Sequence, residues 1–366
     1  MKKVFYIALA ALVLAACSKT EAVYTPSAEI GFMPVSKYDT KTAISGTTYT
    51  NDLPFYVYAN AKDNGATNFV SKYFENALFI HESTTGTTTH VYHGSPAQYW
   101  PNVNPLIFAG FTQSGNIAEL VGKDVTNKSD AVIAPATDLT SLTINGYVQP
   151  KPTVENADND FMYFFADNDD AGYTSQTTYI STVMKHACSW ITINIKAETA
   201  ALLTYWPNLE VKNVKFLGLH ETGNVTLSES AAASWTVVGD AAADGVNVRT
   251  TEMALTTNFQ EFADYANNTI VIPQALANND ANKTAKVQLS VTYSYTTPAG
   301  TNDFTETKVL DLFYDGDTKS AWQPGKHYIY NLTVTATEIK IAPSSEDWVT
   351  DLNGDSTAND DVDKDI

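Results

Sequence analysis

Arginine is almost absent from this sequence, and basic residues are scarce in general. Among 366 residues there are 22 Lys or Arg against 41 Asp or Glu, so the formal net charge is −19, and Arg249 is the single arginine. Nucleic-acid binding depends on basic side chains that displace counterions from phosphates. The charge balance therefore argues against a nucleic-acid partner and against docking by charge on anionic lipid.

Cysteine is equally scarce, with only Cys17 and Cys188 in the chain. Residues 1–17 carry two lysines, an apolar run and then small residues before Cys17. The run is too short for a comfortable transmembrane helix and has the layout of a secretory signal. Its ending, LAAC, matches the lipoprotein box, so we predict a lipidated Cys17 that anchors the chain in a membrane; the alternative is an uncleaved or non-lipid signal. Cys188 would then have no disulfide partner within the chain.

The signature motifs of catalysis are lacking too. The sequence has no GxSxG nucleophile elbow, HExxH zinc site, CxxC pair or phosphate loop. Carboxylates are plentiful, but no pair is singled out for glycoside hydrolysis. We therefore predict no enzymatic activity and no cofactor, and an enzymatic role stays a residual hypothesis.

Two patterns could supply metal ligands, and both are weak. His90 and His93 are three residues apart, which puts them on opposite faces of a strand. The tail from Asp351 resembles the start of a calcium loop, but Ser356 stands where that loop needs glycine and Val362 where it needs glutamate. We predict no metal site.

Period-two alternation of apolar and polar residues is the main signal that is present. It predicts strands at residues 287–295 and 191–197, with every second side chain buried. Residues 328–334 alternate in the same way, and a last strand follows from Ile339 and ends at Pro343. A short helix is predicted over residues 260–266. The chain is expected to be all-β.

Length and pattern together predict two domains of ordinary size. The expected division is a lipoprotein signal peptide at 1–17, a polar tether at 18–28, an N-terminal β-sandwich at 29–180, a C-terminal β-sandwich at 181–348 and an acidic tail at 349–366. The first strand of the N-terminal domain is expected around Ile30 and Phe32.

Several short motifs occur in one order along the chain. They are the lipoprotein box, Lys41-Thr42-Ala43, Tyr99-Trp100-Pro101, His186-Ala187, Ile272-Pro273-Gln274, and Trp322-Gln323-Pro324-Gly325-Lys326 followed by Tyr328, Tyr330 and a terminal Asp347-Trp348. Together they resemble the fimbrillin-like (type V pilus subunit) surface lipoproteins of Bacteroides-type bacteria. The resemblance implies two transthyretin-like β-sandwich domains in tandem and a place in the cell outer membrane and then in a fimbrium.

The resemblance also implies a mechanism and partners. In that family a surface protease removes the N-terminal strand, and the emptied groove accepts a strand from another pilus subunit. Here the removed strand would lie within residues 29–41 and the donor within residues 338–348 and the tail. Many members have arginine at the cleavage point, whereas this chain offers Lys37 and Lys41. If the strand is retained instead, the protein would be a pilus-base anchor or a non-polymerising lipoprotein that binds glycans.

Overall fold

The structure is a computed structural model of the chain. It describes residues 28–35, 53–63, 65–81, 91–101, 104–123, 132–149, 160–174, 179–249, 251–262, 269–277, 286–297, 303–312 and 320–347. Nearly all regular structure in these ranges is β-strand, which confirms the predicted all-β class. The two helices found there, α1 (Ile117–Lys123) and α2 (Ala200–Tyr205), are both short.

The strands form four sheets. In chain order their bounds are β1 Gly31–Val35, β2 Phe55–Ala61, β3 Ser71–His81, β4 Tyr92–Gly94, β5 Leu106–Thr112, β6 Ile133–Pro135, β7 Ser141–Val148, β8 Met162–Ala166, β9 Ile180–Val183, β10 Lys185–His186, β11 Ser189–Ala197, β12 Glu210–Leu217, β13 Thr222–Ser228, β14 Ser234–Val237, β15 Val246–Arg249, β16 Met253–Ala254, β17 Gln260–Glu261, β18 Ile270–Val271, β19 Gln288–Thr296, β20 Asp303–Asp311, β21 Lys326–Val334 and β22 Ile339–Asp347.

The largest sheet has eight strands in the order β10-β8-β5-β2-β3-β4-β1-β9. It curls on itself, because the rings of Phe32 on β1 and Phe108 on β5 lie 5.3 Å apart although their strands are four places apart in the sheet. In a flat sheet four strand spacings would separate them by roughly 19 Å. The curled sheet encloses a core that we call the N-terminal core, made of buried side chains from seven of its strands.

The outer face of the same sheet packs against a second sheet, in the order β14-β13-β7-β6. β5 shows why both faces are apolar: Leu106 and Phe108 point into the N-terminal core, while Ile107 and Phe111 belong to a second core shared with β7 and β13. All seven residues of β5 are buried. A strand that is covered on both faces has a continuous apolar sequence instead of an alternating one.

The remaining two sheets form a C-terminal sandwich. One has the order β17-β11-β21-β22 with β18 also on β11, and the other has the order β15-β12-β19-β20 with β16 also on β12. The alternation predicted for β11, β19 and β21 is confirmed, since their inward rows are buried in one shared core. β11 and β21 run parallel and pair from Trp190 with His327 to Ala197 with Val334.

The division of the chain into domains stays a prediction. The four-stranded sheet contains β13 and β14, which follow residue 181, next to β6 and β7, which precede it. Chain segments on both sides of the expected boundary thus share one sheet and one core.

Two local predictions were wrong. β22 does not end at Pro343 but continues to Asp347, with Pro343 opposite Tyr330. Among the described strands β22 has a neighbour on one side only, so it lies at a sheet edge, and edge strands tolerate the missing N–H of proline. The predicted helix over residues 260–266 begins instead as strand β17, because Gln260 and Glu261 pair with β11; residues 263–268 lie outside the described ranges.

Candidate functional site

The candidate site is the slot in the curled sheet that strand β1 occupies, because this strand pairs with a neighbour on each side. On one side it pairs antiparallel with β4, with Gly31 opposite His93, and on the other it pairs parallel with β9 over residues 32–35. The preceding residues continue the attachment, since the Ile30 N–H donates to the Gln98 carbonyl at 2.8 Å. β1 therefore fills a slot between two other strands of the curled sheet.

The side chain of Phe32 occupies the centre of the N-terminal core. It is fully buried, and its ring centroid lies 4.9 Å from that of Phe79, 5.3 Å from Phe108, 5.5 Å from Phe164 and 5.9 Å from Phe55. Three of the four contacts are edge-to-face, an arrangement that aromatic pairs prefer. We call the space enclosed by these four rings the Phe32 pocket.

Ile30 and Phe32 together supply most of the apolar contact of β1. Both are fully buried, and Pro34 is buried too. Burying a large apolar side chain contributes about 1.5–3 kcal/mol, so the two residues contribute about 3–6 kcal/mol to holding the strand. Without β1, the rings of the Phe32 pocket would face an open slot between β4 and β9.

The outer face of β1 is covered by Tyr179. A Cβ atom on Gly31 would lie 2.5 Å from Cδ1 of the Tyr179 ring, so only glycine fits beneath the ring in its present position. The Tyr179 ring also packs edge-on against His93, with centroids 5.5 Å apart. Oε1 of Glu29 lies 3.3 Å from Nδ1 of His93, so the residues just before the strand make a polar side-chain contact with β4 as well.

Strand β22 is the second element of interest, because it lies at the edge of its sheet. It pairs along its whole length with β21, from Ile339 opposite Val334 to Asp347 opposite Lys326. Of its inward side chains, Ile339 is buried, whereas Ile341, Pro343 and Ser345 are only partly buried. The strand is thus held mainly by one ladder of hydrogen bonds and one buried side chain.

The predicted modification sites lie outside the described residues. This holds for Cys17, for Lys37 and Lys41, and for the tail after residue 347. In sequence, Lys37 comes two residues after the last residue of β1. Both lysines therefore lie between β1 and β2, where a cut would separate β1 from the rest of the chain.

Of the two weak metal patterns, the tail from Asp351 lies wholly outside the described ranges. His90 lies outside the described ranges, and His93 is engaged by Glu29 and Tyr179. Within the described ranges, no three His, Cys, Asp or Glu side chains are grouped as a metal site would require. No helix in those ranges is long and apolar enough to cross a membrane.

A buried polar pair lies beneath the second core. His186 Nδ1 and Asp160 Oδ2 are 2.5 Å apart, and both side chains are almost fully buried. Nearby Cys188 is fully buried, and burial raises the pKa of its thiol well above the ordinary value. A thiol in this environment is protonated and inaccessible. Cys188 therefore packs as part of the core and is not suited to nucleophilic chemistry.

Sequence reasoning missed two parts of the slot that β1 occupies. It left β9 and Tyr179 in a segment without assigned structure, and it did not identify the four phenylalanines as one pocket. The alternation of Ile180 and Thr182, both buried, is the signal that could have predicted β9. No signal within the sequence reveals that β9 lies parallel to a strand some 150 residues earlier.

The sequence matches two profiles of known protein families. A family profile described as fimbrillin-like matches residues 40–348. A second profile, for prokaryotic membrane lipoprotein lipid attachment sites, matches residues 1–18. No curated protein matches the sequence significantly.

Two solved structures are among those to which this chain is similar. A fimbrial protein from Bacteroides vulgatus is 14% identical, with 87% of this chain and 99% of that chain covered and a TM-score of 0.51. The tip fimbrial protein from Porphyromonas gingivalis with C-terminal truncation is 11% identical, with 88% and 100% covered and a TM-score of 0.37. The first similarity shows a shared fold.

Proposed function

Because the chain belongs to the fimbrillin-like family, whose profile matches residues 40–348, we propose that it is a structural subunit of a cell-surface pilus that supports adhesion. It carries a lipoprotein attachment site over residues 1–18 and is a lipid-anchored, surface-exposed protein of the outer membrane. In this proposal Cys17 carries the lipid, and the partners are other pilus subunits and a surface protease.

The burial of β1 is the observation that carries the proposal. A strand that fills a slot between β4 and β9 and seals an aromatic pocket leaves a matching vacancy when it is removed. A strand from another molecule can then add its backbone to both neighbours and its side chains to the pocket. The same residues that stabilise the free subunit thus become the joint between two subunits.

Cleavage after Lys37 or Lys41 is the step that frees β1. The chain before the cut contains the lipid-bearing residues and β1, and the family profile begins at residue 40, downstream of both. Removal of this segment releases the subunit from its anchor and opens the slot in one event. The exposed apolar surface would then favour capture of a donor strand over a long-lived open state.

Limited proteolysis of the full-length protein tests this proposal. Treatment with trypsin should produce a species that starts at residue 38 or 42, together with high-mass ladders that resist mild denaturation. A Lys37→Gln, Lys41→Gln variant should give neither, while the control Lys72→Gln, at an exposed lysine on β3, should behave as wild type. Monomers that lose the N-terminal segment without forming ladders would contradict the assembly mechanism.

Retention of β1 is the second candidate. The chain has no arginine before Arg249, and Tyr205 and Phe304 are 58% and 45% exposed and could serve as platforms for sugar rings. In that case the protein would be a pilus-base anchor or a non-polymerising lipoprotein that binds glycans. Unprocessed monomers that bind a polysaccharide, with binding lost in Tyr205→Ala, would favour this alternative.

A further inference from the structure

A row of aromatic rings in the C-terminal sandwich continues from its core to the surface. Tyr293 on β19 is buried in the core, and Tyr295, two residues further on the same face, is partly buried. The Tyr295 ring stacks on Trp206 with centroids 4.1 Å apart, and it lies 6.0 Å from the ring of Phe304 on β20. The planes of these two pairs differ by only 16° and 18°. The row therefore ends at Phe304, which is 45% exposed.

Charged groups follow this exposed ring along β20. Phe304, Glu306 and Lys308 stand at alternate positions of the strand, so their side chains share one face at intervals of roughly 7 Å. Oε2 of Glu306 accepts a hydrogen bond from the Tyr293 hydroxyl and Oε1 accepts one from the Tyr295 hydroxyl, each at 3.0 Å. Nζ of Lys308 lies 3.0 Å from Oε2 of Glu306, and these two side chains remain 36% and 38% exposed. A fixed carboxylate and an ammonium group thus lie beside an exposed aromatic ring.

These groups match the chemistry of a sugar ring. A pyranose carries C–H groups on its faces, which pack on the negative face of an aromatic ring, and hydroxyls around its rim, which bond well to ionised groups. Hydrogen bonds from Lys308 and Tyr293 hold the pKa of Glu306 below its ordinary value, so the carboxylate is ionised at neutral pH. The described contacts use three of its roughly four lone-pair positions. Glu306 can therefore accept another hydrogen bond, and Lys308 can donate further ones.

We propose that Phe304, Glu306 and Lys308 form a binding site for a neutral oligosaccharide. One pyranose ring stacks on Phe304, and hydroxyls of the neighbouring sugar bond to Glu306 and Lys308. Tyr205, which is 58% exposed and directly precedes Trp206 in the chain, adds a second exposed ring next to the aromatic row. This inference rests on the proposed adhesive role and adds to it a ligand class and a site. It does not depend on whether β1 is removed or retained.

The charges around the site favour a neutral sugar over other ligands. β20 reads DFTETKVLD, with three carboxylates and one lysine, and the whole chain has a net charge of −19, so an acidic polysaccharide would be repelled. An apolar peptide would have to remove water from Glu306 and Lys308 without replacing its hydrogen bonds, which costs free energy. Sugar hydroxyls replace those hydrogen bonds while the ring covers Phe304.

Binding of the full-length protein to an oligosaccharide array tests the site. The array carries neutral oligomers of glucose, galactose, mannose and N-acetylglucosamine beside their sulfated counterparts, and calorimetric titration then gives the affinity for the neutral oligomer that binds best. Phe304→Ala should weaken this affinity by about tenfold or more, because it removes the ring on which the sugar stacks. Glu306→Gln should weaken it by a similar factor, because a neutral amide replaces the ionised acceptor.

Each variant has a matched control. Phe259 is also 45% exposed, but its ring lies under the Lys196 ammonium at 4.4 Å, so Phe259→Ala should bind the oligomer as wild type does. Asp311→Asn neutralises a carboxylate at the far end of β20, next to Gln288, and should also leave binding unchanged. Urea unfolding of all four variants shows whether each is folded.

Several outcomes would overturn the site. They are absence of binding to every neutral oligomer, preference for the sulfated oligomers, and unchanged binding in folded Phe304→Ala or Glu306→Gln. β20 belongs neither to the curled sheet nor to the sheet of β22, so trypsin should produce the same ladders from Phe304→Ala as from wild type. Ladders without sugar binding would refute the site and leave the assembly proposal standing, whereas sugar binding without ladders would do the reverse.

Discussion

Phe32 offers the most direct test of how β1 is held. Phe32→Ala removes a ring whose centroid lies within 6 Å of four others, and the surrounding rings belong to hydrogen-bonded strands of the same sheet. Replacing a buried phenylalanine by alanine costs about 3–5 kcal/mol. Since β1 is the first of the described strands and is joined to the others only through its C-terminal end, we expect much of this loss to appear as local opening of the strand.

Two measurements distinguish local opening from global unfolding. Urea denaturation reports the total loss of free energy, and hydrogen exchange at the Ile30 N–H, which donates to Gln98, reports detachment of the strand. If all of a 3–5 kcal/mol loss appeared as local opening, the detached population would rise by about a hundred- to four-thousandfold. The rate of tryptic cleavage between β1 and β2 should rise with it where opening is fast relative to cleavage.

The control is Phe259→Ala, which removes a ring that is 45% exposed. This ring lies 4.4 Å from the Lys196 ammonium, and loss of an exposed cation–π contact costs about 0.5–1 kcal/mol. Exchange at Ile30 should not change in this variant. If Phe32→Ala behaves like Phe259→Ala in both measurements, the reasoning about the pocket is refuted.

Three further predictions concern neighbouring features. Gly31→Ala should lower the free energy of unfolding in urea by about 1–3 kcal/mol, and markedly less in a Tyr179→Ala background, because the added Cβ meets that ring; equal costs in both backgrounds would contradict the contact. Burial raises the pKa of Glu229 to about 7, so this carboxyl stabilises the fold below about pH 4.5 and loses that contribution as the pH rises toward 7; urea titrations of Glu229→Gln should show a flatter pH dependence across this window, and an unchanged profile would refute it. Asp160→Asn should cost about 1–3 kcal/mol in thermal or urea unfolding, since it replaces the buried carboxyl whose Oδ2 lies 2.5 Å from Nδ1 of His186; an unchanged free energy of unfolding would contradict that role.

The parts of the fold that sequence reasoning predicted are those with one buried face. The inward rows of β11, β19 and β21 alternate with polar residues, so the period of two is visible in the sequence and the predicted faces are the buried ones. Trp100, placed by its Tyr-Trp-Pro motif before an apolar strand, is buried in the N-terminal core as a core tryptophan should be.

The parts that it could not predict depend on contacts between distant segments. β1 acquires its importance from β4, some 60 residues on, and from β9, some 150 residues on, and no local pattern specifies such partners. The short helix α2 has a cap in which Thr199 accepts from the Leu202 N–H, but its six residues give too little periodicity to identify it. The Phe32 pocket exists only because the sheet curls, which a one-dimensional pattern does not encode.

The order of events in the proposed mechanism follows from covalent attachment. β1 is joined to β2 through the 19 residues 36–54. This tether keeps its effective concentration at the slot on the order of millimolar, so a donor from another subunit at micromolar concentration competes at a disadvantage of about a thousandfold. An intact subunit therefore keeps its own strand. After cleavage β1 is no longer tethered, so it can dissociate on dilution.

After cleavage, substitutions in β1 and substitutions in the slot should have different effects on the ladders. Phe32 leaves with β1, so in a cleaved chain Phe32→Ala should speed the appearance of ladders but leave their resistance to denaturant unchanged. Phe79 stays in the pocket and would contact the donor, so Phe79→Ala should weaken the ladders themselves. Stopped-time sampling after trypsin gives the first quantity, and dissociation of finished ladders in urea gives the second. A Phe32→Ala ladder that dissolves more readily than wild type would show that β1 stays in the joint, and exchange of the strand would then be wrong.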